Sequence, residues 1–186
     1  AWVTGALFGA IGSILATGVT SDWLKWMNGV QTPDHPIDAF RSGLARYLSV
    51  SFDHKVIGVQ YGVTSLIMFL TAGFFAVTFR TELATPQLDV VSYDVYNSFM
   101  SLHGIVMIFS ILLGVAAMSN FLVPLMIGAN DMAFPRLNAF AYWLNVPAGI
   151  ILLSSLFLGG FDTGWTGYPP LSARAPLGMQ MFFLGV

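Results

Sequence analysis

Two stretches of this chain limit it to very few folds. Val56–Phe79 runs 24 residues without a charge, and Val95–Asn130 runs 36. A helix needs about 20 apolar residues to cross a bilayer. It also satisfies its own backbone polar groups, as a lipid environment demands. Leu137–Phe161 is a third charge-free run, and Leu177–Val186 reads as the start of a fourth helix. The charges fall between these runs. Arg80 closes the first, Thr81–Asp94 is a polar connection with Pro86 and three acids, and Asp162–Pro176 is a Gly/Pro-rich loop. The pattern predicts helices at about 56–80, 95–126, 137–161 and from 177 onward, the second running into a loop near Pro124–Gly128.

Composition agrees. Hydrophobic residues make up 56% of the chain and charged residues 9%, against roughly 25% charged in soluble domains. The expected class is an all-α integral membrane protein, a transmembrane helix bundle whose surroundings are the lipid bilayer or other apolar helices. With a net charge of −2 and no basic tract, nothing suggests a nucleic-acid partner. The absence of cysteine excludes disulfides, iron–sulfur clusters and thiolate metal sites for this chain. Residues 1–21 are uncharged and rich in Gly and Ala. They lack the basic start of a signal peptide and read as an extra transmembrane helix. Residues 22–55 mix charges with Trp23, Trp26, Phe40 and Tyr47, which suits a segment lying at a membrane interface. A chain opening at Ala1 and closing on the start of a helix reads as a fragment or one piece of a split subunit.

Basic residues orient the bundle. Lys25, Arg41, Arg46, Lys55 and Arg136 lie on one side and only Arg80 and Arg174 on the other. The first side is therefore expected to be cytoplasmic, or matrix-facing in a mitochondrion.

A few polar residues stand out. His103 is expected to be the one histidine within a span, where a polar side chain is costly and faces the bundle interior. A neutral imidazole there suits an axial heme ligand; an interhelical hydrogen bond is the alternative. Arg80 ends the first span on the side from which His103 lies about two turns deep. It suits a cation beside a heme substituent, or a snorkelling anchor. Asn120 follows His103 by 17 residues, roughly 25 Å along a helix. Asp131, in the run GANDMAFPRLN, and Asn138 follow. One acid with two amides can gather protons and order entering water, although Asn and Asp also favour turns and caps. Glu82, the only Glu, and Tyr96 are weak candidates for a hard-cation site. Trp165 and Tyr168, in GWTGYPP, suit an interface.

Taken in order, FDHKVIGVQY, FRTEL, YNSFMSLHGIVMIF, NFLVPLMIGANDMAFPRLN and GWTGYPPLS resemble subunit I of the heme-copper oxidases, over Asp53 to Pro170. The longest run is the most specific. The resemblance implies the N-terminal portion of a twelve-helix fold, starting near residue 56 and carrying an extra N-terminal helix like that of some bacterial members. It implies that His103 is an axial ligand of the low-spin heme, with heme A favoured over heme B or O. Arg80 matches the arginine at the heme formyl group, and Tyr96 a tyrosine near the same heme. Asp131 matches the carboxylate at the entrance of the D proton pathway, and Asn120 and Asn138 its asparagine region. Trp165 matches a tryptophan near the propionates of the high-spin heme, and Glu82 a calcium or sodium ligand of some members. The implied reaction is reduction of dioxygen to water by cytochrome c, coupled to proton pumping, in a bacterial cytoplasmic or mitochondrial inner membrane. Its other parts, namely the second ligand of the low-spin heme, the high-spin heme ligand and the copper B ligands, belong to the remaining helices of subunit I. Subunits II and III are the implied partners, and this segment alone should not catalyse.

The sequence departs from the family at Ala139, where a second Asn is common, and at Gly167, where a branched residue is common. Quinol-oxidising relatives carry an Arg and an Asp on the first span where this chain has Thr71 and Phe75. They carry a His and a Gln where it has Val95 and Ser98. These differences favour cytochrome c as donor. A proton-coupled transporter using Asp131 and a non-catalytic membrane scaffold are the readings from other classes.

Overall fold

In the computed structural model, residues 2–16, 18–30, 43–84, 86, 90–174 and 177–186 are described. Helices α1 (Trp2–Ala16) and α2 (Val19–Met27) are followed by a 3-10 turn at Gly43–Arg46. Next come α3 (His54–Glu82), α4 (Tyr93–Ile127) and α5 (Pro135–Ser154), the last continued by a 3-10 turn at Ser155–Leu158. A further 3-10 turn at Leu171–Arg174 precedes α6 (Leu177–Gly185). The described residues contain helix and no strand, as composition and periodicity predicted. Three helices are long and apolar enough to cross a membrane, His54–Glu82, Tyr93–Ile127 and Pro135–Leu158. This is a multi-pass membrane protein.

The helix ends follow from local chemistry. Asp53 caps α3, its Oδ1 accepting the Lys55 N–H at 2.9 Å and its carbonyl the Ile57 N–H at 3.0 Å. That cap starts the helix two residues before the predicted Val56 and brings a second histidine, His54, into it. Ser92 caps α4 in the same way. At the other end of α4, Gly128 at φ 70 lets the Ala129 N–H reach back to the Pro124 carbonyl at 2.9 Å. Pro124 therefore lies inside the helix, one turn before the loop expected there. α5 opens with Pro135 in its first turn, where the missing N–H costs nothing.

The predicted extra helix over residues 1–21 is divided. Gly18 is left-handed at φ 72, and the helix axis bends by 69° between Leu7–Ala16 and Thr20–Met27. Fifteen residues of α1 rise only about 22 Å, so α1 and α2 reach membrane-spanning length only as a bent pair. Much of the predicted interfacial segment, with Asp34, Asp38, Phe40 and Arg41, lies outside the described residues.

The chain divides into two compact units. The first is residues 1–60 with 117–143, and the second is residues 61–116 with 144–186. In the second unit α3 and α4 meet antiparallel at steps of seven residues. Ser65 and Ser110 exchange hydroxyl-to-carbonyl hydrogen bonds at 2.8 and 2.9 Å. Seven residues along α3, the Ala72 carbonyl meets His103; seven further, the Phe79 ring meets Tyr96. A seven-residue repeat keeps one helix face on its neighbour. Because lipid tails are as apolar as Leu, hydroxyl bonds and small residues hold such pairs together. The opposite stripe of α3, Val63, Leu66, Ile67, Leu70, Phe74 and Val77, is exposed, as a lipid-facing surface would be.

In the first unit, Gly58 lets α3 approach α4 closely. A Cβ there would sit 3.1 Å from the Phe121 Cβ and 3.3 Å from the Ala117 carbonyl. Gly58→Leu should destabilise the protein by about 1–3 kcal/mol through overpacking, read as a lower temperature of thermal unfolding in detergent. An unshifted midpoint would show that the two helices can separate there without cost.

Candidate functional site

In the second unit, His103 lies on α4 with its Nδ1 2.9 Å from the Ala72 carbonyl of α3. A carbonyl can only accept, so Nδ1 must carry the proton. In the neutral ring that leaves a lone pair on Nε2, which fixes the tautomer in the manner of a metal-bound histidine. The Phe79 ring packs edge-on against the imidazole, with centroids 5.6 Å apart, and edge-on against Tyr96 at 6.1 Å. His103 and Tyr96 are thus brought to one aromatic wall through Phe79, which the sequence did not single out. The donor set fits an axial heme ligand: one half-buried imidazole, its tautomer set by backbone, on an aromatic face.

The loop containing Trp165 is anchored to the same turn. Its Gly164 N–H donates to Ser101 Oγ at 3.0 Å. Trp165 lies against Gly104, where a Cβ would meet its side chain at 3.7 Å. So Trp165, though exposed, stands one residue from the heme-ligand candidate. Arg80, expected to serve a heme substituent or to snorkel, is exposed in the last turn of α3 and makes no hydrogen bond or ion pair among the described residues. Phe79, not Arg80, touches the imidazole. Glu82 Oε2 accepts the N–H groups of Val90 and Val91 at 2.7 and 3.1 Å, which ties the connection between α3 and α4 to the end of α3. Among the described residues no three His, Asp or Glu side chains gather as a metal site.

The second cluster belongs to the first unit. Asp131 sits in the loop between α4 and α5, with its Oδ1 accepting the Met132 N–H at 2.7 Å. Burial pushes its carboxyl above the ordinary carboxylate range; the Met132 N–H and the neighbouring His54 oppose that shift, and Asp53 reinforces it. His54 is 1% exposed, with Nδ1 2.8 Å from the Asn120 carbonyl. By the same reasoning Nδ1 donates, leaving a buried Nε2 without a hydrogen-bond partner. Asn120 is 6% exposed. Asn138 opens α5, its N–H donating to the Phe134 carbonyl at 3.0 Å, while its side-chain Nδ2 is buried and unsatisfied. Asp53 pairs with Arg46 at 2.9 Å. The structure therefore gathers Asp131 and Asn120 around His54. The sequence singled out no role for that histidine.

Unsatisfied buried polar atoms are rare in folded proteins and call for a partner, commonly water. His54 Nε2 and Asn138 Nδ2, in a unit that also holds the half-buried Asp131 carboxyl, suit a place where water and protons are taken up.

Comparison with known proteins places these residues in context. The family described as cytochrome C and quinol oxidase polypeptide I matches residues 56–186. Cytochrome c oxidase subunit 1 of Synechocystis sp. is 53% identical over 142 residues, 76% of this chain and 25% of the relative. The protein of the same description from Thermostichus vulcanus is 50% identical over 143 residues, 75% of this chain and 26% of the relative. Heme-copper oxidase subunit I+III of Aeropyrum pernix is 42% identical over 138 residues, 73% of this chain and 17% of the relative. The chain spans about a quarter of the length of the cytochrome c oxidase relatives.

Proposed function

This chain belongs to the cytochrome C and quinol oxidase polypeptide I family, and from that membership we propose that it is the N-terminal part of the catalytic subunit of a terminal respiratory oxidase. The assembled enzyme reduces dioxygen to water with electrons from cytochrome c and pumps protons. It does so in a bacterial cytoplasmic or mitochondrial inner membrane, with the remaining helices of subunit I and with subunits II and III.

The observation that carries the reading is the His103 hydrogen bond to the Ala72 carbonyl. It holds the ring between two helices and keeps the Nε2 lone pair available, so His103 would supply a ligand to the low-spin heme. When bound, that heme supplies one-electron transfer toward the high-spin heme and copper B, whose ligands lie on later helices. Phe79 and Tyr96 wall the ligand side. Ser101 holds the loop that carries Trp165, whose side chain would serve the propionates of the high-spin heme. Arg80, exposed at the end of α3, would supply the cation for a polar heme substituent. Glu82 steadies the α3–α4 connection and keeps one carboxylate oxygen for a hard cation. At the proton entrance Asp131 binds a proton from the inner aqueous phase. Asn120 and Asn138 order the water that receives it.

Cytochrome c is favoured over quinol because neither matching position offers a charge. The Thr71 hydroxyl donates to the Ile67 carbonyl of its own helix at 2.8 Å. Phe75 is buried against Phe99, with centroids 4.8 Å apart.

The test is a purified complex containing this chain. Its redox difference spectrum and pyridine hemochrome should show heme A, and oxygen uptake should run on reduced cytochrome c and fail on a short-chain quinol. A spectrum without heme bands would sink the oxidase reading in favour of a transporter. Uptake on quinol alone would reverse the donor.

A further inference from the structure

Residues that the family match does not reach pack onto the loop that carries Asp131. α2 begins after the bend at Gly18, and its two tryptophans close on one ring. Trp23 meets Phe134 edge-on with centroids 6.0 Å apart, and Trp26 meets it tilted at 5.2 Å. Phe134 is the last residue of the loop before Pro135. One residue further on, Arg136 is also engaged by the same segment. Its Nη1 lies 4.0 Å from Asp22 Oδ2. It also lies so close to Gly18 that a Cβ there would stand 2.8 Å from it. The bend at Gly18 thus serves two ends: its left-handed backbone turns the chain into α2, and its missing side chain leaves room for the guanidinium.

Asp131, three residues before Phe134, is fixed on the other side by the start of α3, where His54 and Asp53 face it. We infer that α2 is a clamp on the proton-entrance loop, with Trp23 and Trp26 acting as positioning residues that grip Phe134 and so set how Asp131 stands between His54 and water. The inference rests on the reading of Asp131 as the proton entrance.

The charged and titratable groups around this loop are few. His54 faces Asp131, as does Asp53, which is held by Arg46. Asp22 of α2 and Arg136 of α5 pair with each other across the loop's end. The tryptophans bring no charge. Both are partly exposed and touch Phe134, so their removal should act on Asp131 through Phe134, by loosening the loop and letting water in, not by adding or deleting an ion. Hydration favours the carboxylate, so the Asp131 carboxyl should release its proton at lower pH once the clamp is gone.

The experiment uses the assembled oxidase with Trp23→Ala/Trp26→Ala, Trp23→Phe/Trp26→Phe and, separately, Phe134→Ala. The Asp131 carboxyl band is isolated by infrared difference against Asp131→Asn and titrated. The double alanine variant should lower the midpoint by on the order of one pH unit. The double phenylalanine variant, which keeps aromatic contact, should restore it. Phe134→Ala should reproduce the fall with α2 intact, and it decides the matter if the double alanine complex does not assemble. Equal midpoints in the parent, the double alanine variant and Phe134→Ala would overturn the clamp; where the double alanine complex is missing, an unshifted Phe134→Ala overturns it. The parent reading fails by a different result, namely proton pumping that survives Asp131→Asn.

Discussion

His103→Ala in the assembled complex should remove the low-spin heme. The imidazole is the one ionisable side chain of α4 beyond its first turn, and the Ala72 carbonyl fixes its tautomer. Alanine offers no lone pair, Leu102 and Gly104 beside it offer none, and the nearest donors on α4 are the thioethers of Met100 and Met107, one turn away on either side. The expected result is loss of the low-spin band from the redox difference spectrum and a halved heme content by pyridine hemochrome. Cytochrome c-driven oxygen uptake should vanish. His103→Met separates ligand loss from misassembly. A thioether can still bind iron, so this variant should keep the heme but move its potential upward, as Met ligation does in c-type cytochromes. A normal low-spin band in His103→Ala would defeat the assignment.

Asp131→Asn should abolish proton pumping and slow turnover by on the order of 10²-fold, the low end of what a positioned proton-transfer group supplies. The amide has nearly the shape of the carboxyl and can still accept the Met132 N–H, so the loop should keep its form. What it loses is the ability to take up and release a proton. Because burial raises the Asp131 carboxyl above its ordinary range, the acid holds its proton to higher pH than an exposed aspartate would. The parent enzyme should therefore keep proton uptake to higher pH than an ordinary aspartate would allow and lose it as pH rises through that raised value. The variant should show no such step. Proton-to-electron stoichiometry in sealed vesicles and uptake rate against pH are the measurements. An unchanged stoichiometry would remove Asp131 from the pathway.

The spans were legible because burying a charge in lipid is costly, which leaves long charge-free runs between markers such as Arg80 and Asp131. The same cost made His103 conspicuous. Local chemistry set the remaining offsets: the Asp53 cap draws α3 back to His54, and the Gly128 turn holds α4 together through Pro124. Other features escaped because their causes are not local. His103 meets Ala72 across 31 positions and His54 meets Asn120 across 66, each through a backbone carbonyl that any residue would provide. No pattern of side-chain types can announce such a partner. Glu82 stood out in the sequence as the only Glu, and only the folded connection shows two backbone N–H groups on it.

By itself, then, the sequence determined the membrane class, the positions of the three long helices and the identity of the polar residues within them. Hydrophobic length and the cost of buried charge act residue by residue along a helix. The tertiary structure decided what those residues touch. It set Phe79 against His103, His54 beside Asp131, and the tryptophans of α2 on Phe134. Such contacts depend on which helix faces meet and at what register, and that is fixed by packing between segments far apart in the chain.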